Sequence, residues 1–96
     1  MKKSKKIKLT PSVNFNENTG SFEILLDEAG IFGAGKTKQE AVNKFMDEAK
    51  DSSTEFFYNL DFYSEFPKLM EKYQYFLSIG KCKSRNELIH LFHLDK

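Results

Sequence analysis

Apolar residues change their period once along this chain, and a four-residue signature marks the change. Before residue 37 they alternate; from residue 41 they recur every three to four positions. An alternating run buries one face only as a strand, and a three-to-four run only as a helix. At the junction stands Thr37-Lys38-Gln39-Glu40, a capping box. The threonine hydroxyl can accept from the third helical amide while Glu40 reaches back to the cap amide. Strands must therefore precede helices, which defines an α+β chain with its helices packed on one face of a sheet.

Within residues 7–37 the odd positions Ile7, Leu9, Val13 and Phe15 read as a first half-buried strand, bent by Pro11. Asn16-Glu17-Asn18-Thr19-Gly20 has the residues a hairpin turn uses, and Phe22, Ile24 and Leu26 form a second strand. Asp27-Glu28-Ala29-Gly30 makes another turn before a short third strand over residues 31–35. Two tight hairpins in succession give a three-stranded antiparallel meander.

Beyond the capping box, Ala41, Phe45, Ala49, Ser52, Phe56, Leu60 and Tyr63 follow helical spacing. This long helix runs to about Phe62 or breaks near Asp51-Ser52-Ser53, where three weak helix formers meet. It must end before Pro67, which excludes helical backbone at Phe66. Pro67 suits the first turn of a second helix, with Gly80 as its stop. Ser84-Arg85-Asn86-Glu87 is another capping box and opens a third, short helix. The expected organisation is a flexible basic arm over residues 1–6 and a single α+β domain over residues 7–96. In that domain the meander is followed by one long and two shorter helices.

Charge narrows the function classes. The formal net charge is only +1, which excludes a uniformly basic nucleic-acid coat. It conceals a segregation: residues 1–16 hold five lysines and no acid, residues 17–65 have a balance of −7, and residues 66–96 one of +3. The single cysteine, Cys82, excludes an internal disulfide framework and fits a reducing, cytoplasmic setting. No apolar run approaches the roughly 20 residues of a membrane span.

Three motifs raise the question of chemistry. Gly30-Ile31-Phe32-Gly33-Ala34-Gly35-Lys36-Thr37 satisfies G-x-x-x-x-G-K-[ST], the phosphate-binding loop pattern. Yet no parallel sheet and no second strand ending in a magnesium-holding aspartate follow it. Turn, strand and cap account for the same residues. His90, His93 and Cys82 fall short of the four ligands of a zinc site, so neither metal nor cofactor is expected. No nucleophile or carboxylate pair is set up for catalysis, and an enzyme is not expected. Finally, Lys81, Lys83 and Arg85 cluster before the last helix. Together with Lys2, Lys3, Lys5 and Lys6 of the arm they are the candidate contacts to a nucleic-acid backbone.

With these elements in order, the chain resembles small bacterial antitoxins of the HicB/RelB-like kind. Phe22-Glu23-Ile24-Leu25-Leu26-Asp27-Glu28-Ala29-Gly30 and then Gly33-Ala34-Gly35-Lys36-Thr37-Lys38-Gln39-Glu40-Ala41-Val42 are similar to the strand, the turn and the "G-x-G-x-T-x-x-E-A" helix start of that family. Asp61-Phe62-Tyr63-Ser64, Tyr75-Phe76-Leu77 and Glu87-Leu88-Ile89 are similar to its tail. The resemblance implies a non-catalytic protein that binds and neutralises a toxin, commonly a small basic ribonuclease. The residues support this independently. Asp47, Asp51 and Glu55 offer a field complementary to a basic surface, and Phe56, Phe57, Tyr58, Phe62 and Tyr63 are rings that can anchor a partner. A second copy of the chain is a further candidate partner, DNA another; a membrane is not expected.

Overall fold

The structure is a computed structural model that describes residues 9–94. The lysine arm, with Lys2, Lys3, Lys5 and Lys6, and the strand position expected at Ile7 lie outside the described residues. Three strands, β1 (Ser12–Asn16), β2 (Ser21–Leu26) and β3 (Ile31–Gly35), form an antiparallel sheet in the order β1-β2-β3. Five helices follow: α1 (Lys38–Tyr58), α2 (Leu60–Tyr63), α3 (Pro67–Met70), α4 (Tyr73–Gly80) and α5 (Arg85–Leu91). The α+β class and the meander match the expectation from period and turns.

Both hairpins close on glycines with left-handed backbone, Gly20 at φ 68° and Gly30 at φ 70°. That conformation is strained for a residue with a Cβ. The Gly20 amide donates to the Asn16 carbonyl at 2.8 Å and the Gly30 amide to that of Asp27 at 3.1 Å. The Asn18 amide also donates to the Asn16 side-chain oxygen, at 2.9 Å.

The register fixes which side chains meet α1. Val13 pairs with Ile24 and Gly33 with Ile24, while Phe15 pairs with Phe22 and Phe22 with Gly35. Paired residues share a face, so this row, continued by Leu26 and Ile31, looks toward α1. Ile24, Leu26, Ile31, Ala41, Phe45, Met46 and Ala49 are essentially without solvent contact. Phe92 of the α5 C-cap meets Phe45 edge-on at 4.9 Å and closes the core from the far side.

α1 lies over β3 and β2 rather than centrally on the sheet. Close approach is possible because β3 carries glycine where the helix crosses. A Cβ on Gly33 would sit 2.3 Å from the Phe45 backbone nitrogen, and one on Gly35 2.7 Å from that of Ala41. Gly33 and Gly35 are thus the seat of the helix. One consequence corrects the reading of β1. Alternation predicts Val13 and Phe15 to be half-buried, but no helix among the described residues covers their end of the inner face and both are exposed.

The helical half differs in detail as well. α1 passes through Asp51-Ser52-Ser53 unbroken and stops at Asn59, whose side-chain amide donates to the Glu55 carbonyl at 3.0 Å. Ser53 does not weaken the helix because it is buried and its hydroxyl donates to the Phe76 carbonyl of α4 at 2.9 Å. The helix expected from Pro67 to Gly80 is divided at residues 71–72 into α3 and α4, and α2 is an additional turn.

Both capping boxes form, with one shift. The Glu40 amide donates to Thr37 Oγ1 at 3.1 Å, and the Glu87 amide to Ser84 Oγ at 3.2 Å. The returning carboxylates reach past the cap: Glu40 accepts from the Lys36 amide and Glu87 from the Lys83 amide. α5 ends without glycine. His93 takes φ 57°, and the Leu94 amide turns back to the Ile89 carbonyl at 2.9 Å.

Candidate functional site

The phosphate-loop pattern is used up by the fold. Residues 30–37 form a turn, an antiparallel strand and a helix cap. Lys36 Nζ, the group that would meet a phosphate, donates to the Thr19 carbonyl at 3.1 Å. Gly33 and Gly35 face α1 and leave no cradle between them for an anion. Among the described residues no group of three or more His, Cys, Asp or Glu is placed to hold a metal ion. Burial, and secondarily the Glu87 carboxylate, push the Cys82 thiol up from its ordinary value. The neutral thiol, a poor nucleophile, donates to the Ser78 carbonyl.

The basic turn is partly committed to the fold. Arg85 forms an ion pair with Asp47 at 3.5 Å and also donates to Asn43, so it ties the start of α5 to α1. Lys81 and Lys83 remain exposed. Asp47, read from sequence as partner-facing, therefore already has a cation within its own chain.

The remaining candidates gather where α1 passes into α2. Asp47, Asp51 and Glu55 follow at four-residue intervals, so they share one exposed stripe of α1. The next ring along, Tyr58, is 88% exposed, and Phe62 of α2 is 58% exposed. Phe66, between α2 and α3, is 43% exposed and lies 5.0 Å from the Phe62 ring. Phe57 and Tyr63 are half-buried. Phe56 is not a surface ring: it is 4% exposed and meets Phe76 at 4.9 Å and Tyr63 at 5.0 Å, nearly parallel to the latter. It is the core ring against which Phe57 and Tyr63 pack.

Asn59 and Pro67 explain why so many rings stay outside. Each interrupts the helix, so the apolar stripe of α1 cannot continue along one axis. α2 and α3 are single turns that bury no residue fully, and their rings stack on one another instead. Beside them opens a cleft of about 230 Å³ between the β2–β3 turn, α1 and α3, with Gly30, Glu55, Tyr63, Leu69 and Lys72 on its walls. Leu69 and Lys72 are not among the site residues expected from sequence. Only the fold brings them opposite Glu55.

The exposed carboxylate row of α1 thus runs directly into the solvent-facing rings Tyr58 and Phe62. A protein-family model described as "Antitoxin of toxin-antitoxin, RelE / RelB, TA system" matches residues 2–94, nearly the whole chain. The chain belongs to this antitoxin family. Membership gives the antitoxin a cognate toxin as its partner. No curated protein and no solved structure matches it. No helix among the antitoxin's described residues is long and apolar enough to cross a membrane.

Proposed function

We propose that the antitoxin silences its toxin by direct contact through the ridge formed by the end of α1 and α2, and that the toxin is a small basic ribonuclease. The observation that carries this reading is the exposure of Tyr58 and Phe62, 88% and 58%, directly after an exposed row of carboxylates. Large rings held in water are costly for a monomer and are typical anchors of an interface. Asp51 and Glu55 supply the electrostatic part. They speed encounter with a cationic surface and choose its sign, whereas the rings supply the slow dissociation. Glu65 and Asp61, both exposed, extend the negative field around Phe62.

A basic RNA-binding cleft is the natural complement of such a ridge: covering its cations with carboxylates and its mouth with rings excludes the substrate. The antitoxin acts here by occupation and carries out no reaction of its own. The strand, turn and "G-x-G-x-T-x-x-E-A" helix start ally it with HicB-like antitoxins. In this chain that segment builds the support of the ridge, and the contact surface comes after it.

The test is binding kinetics and affinity by surface plasmon resonance with the protein of the adjacent reading frame. The Tyr58→Ala, Phe62→Ala double variant is expected to weaken binding by about 2–4 kcal/mol, chiefly through faster dissociation. Asp51→Lys with Glu55→Lys is expected to slow association at least about ten-fold at low salt, with the difference shrinking as salt is added. Unchanged affinity in both variants would refute the ridge as the contact surface.

A further inference from the structure

β1 is an edge strand, paired on one side only by β2 among the described residues. Edge strands are ordinarily protected against further pairing by a lysine, an internal proline or a bulge. β1 has none of these: its sequence is Ser-Val-Asn-Phe-Asn, uncharged throughout, and Pro11 stands just before it. Its two apolar residues share the inner face and stand uncovered, Val13 at 40% and Phe15 at 52%. The Phe15 ring is held edge-on against Phe22 at 5.0 Å, so its position is set in advance.

The backbone is disposed for pairing too. The Asn16 carbonyl points toward β2, since it accepts the Gly20 amide at 2.8 Å. Successive residues of a strand present their N–H and C=O groups to opposite sides, which leaves those of Val13 and Phe15 on the open edge. A two-fold axis through Asn14 then has a definite result. Val13 falls opposite the partner's Phe15, and Phe15 opposite the partner's Val13, with their outward amides and carbonyls in hydrogen-bonding register. An aromatic ring facing a β-branched side chain is a favoured cross-strand pair, and no like charges meet. The strand is self-complementary, as an isologous interface requires.

We propose that two copies of the antitoxin associate through antiparallel β1–β1 pairing centred on Asn14, joining their sheets into one. The pairing uses a strand that takes no part in the α1–α2 ridge and does not depend on the toxin reading. It also accounts for the uncovered end of the inner face, because each copy supplies the apolar neighbours that α1 does not.

Sedimentation velocity on the full chain tests this, using Val13→Lys, Phe15→Glu and the variant carrying both. Wild type is expected at twice the monomer mass of 11.2 kDa at tens of micromolar. Each single variant is expected to raise the dimer dissociation constant about ten-fold or more, since it sets a charge against an apolar partner. The double variant is expected to recover to within about three-fold, because the axis places the lysine introduced in one copy against the glutamate introduced in the other. Both positions are exposed in one copy, so the circular dichroism spectrum should stay unchanged and exclude misfolding as the cause. A wild-type monomer at these concentrations overturns the proposal, as does a dimer indifferent to the single variants. Failure of the double variant to recover overturns the register. A monomer whose toxin binding is lost on Val13→Lys would assign the edge to a toxin strand instead.

Discussion

The sheet with the first three turns of α1 is poorer in large apolar residues for its length than the segment from Phe56 to Phe76, yet it buries them more completely. In the first, Ile24, Ile31 and Phe45 have lost all contact with water, and Gly33 admits the helix backbone itself. In the second, Phe56 and Phe76 are interior while Tyr58, Phe62 and Phe66 stand in solvent. Apolar content does not explain this, because the second segment is the richer; continuity does. α1 keeps one axis for 21 residues against a sheet of matching face, whereas α2 and α3 last four residues each. A single helical turn cannot direct a stripe anywhere, so its rings find each other. The rigid half thereby serves as a platform and the interrupted half as a surface.

The sharpest way to break the contrast is to fill the gap on which the platform rests. Gly33→Ala should cost about 3 kcal/mol, because the added Cβ meets the Phe45 backbone at 2.3 Å and neither element can yield alone. Denaturant unfolding followed by circular dichroism measures it. The same substitution at Gly80, where a Cβ would meet its nearest neighbour, Ser53 Oγ, at 3.4 Å, should cost far less and serves as the control.

How much of this is legible in the chain follows the same division. Thr37 and Glu40, the two hairpin glycines and Pro67 act on backbone within a few residues, so their effects can be read without the fold. The alternation of Val13 and Phe15 tells correctly which face they share, but period cannot tell whether anything covers that face. That depends on where α1 lies, and Gly33 and Gly35 decide it. At Asp51-Ser52-Ser53 local propensity argues for a break. The buried hydrogen bond from Ser53 to α4, 23 residues onward, overrides it. Among the rings, helical spacing places Phe56 on the stripe of Phe45 and Ala49 and leaves Tyr58 off it, and burial follows that division. Asp47 and Arg85 lie 38 positions apart, and nothing local joins them.

Removing the tie between platform and interrupted half should have an intermediate effect. Ser53→Ala deletes the hydroxyl that donates to the Phe76 carbonyl, in a position 4% exposed. The loss expected is about 1 kcal/mol, since one buried hydrogen bond disappears and alanine favours the helix. Hydrogen exchange sharpens the measurement: protection should fall in α4 while β2 and β3 keep theirs.

The smallest effect should come from the most conspicuous residue. Tyr58 is the most exposed ring and makes no ring contact among the described residues, so Tyr58→Ala should change the unfolding free energy by less than about 0.5 kcal/mol. Phe62 rests on Tyr63 at 5.5 Å and Phe66 at 5.0 Å, and its truncation should cost up to about 1 kcal/mol. Thermal unfolding of the two variants against Phe56→Ala, expected to lose about 3–5 kcal/mol, sets the scale along three positions of one segment. A large destabilisation by Tyr58→Ala would mean that the ring already has a partner within the chain, and the α1–α2 ridge would then be part of the platform. A negligible one, beside a marked loss of toxin affinity, separates the residues that hold the antitoxin together from those reserved for what it binds.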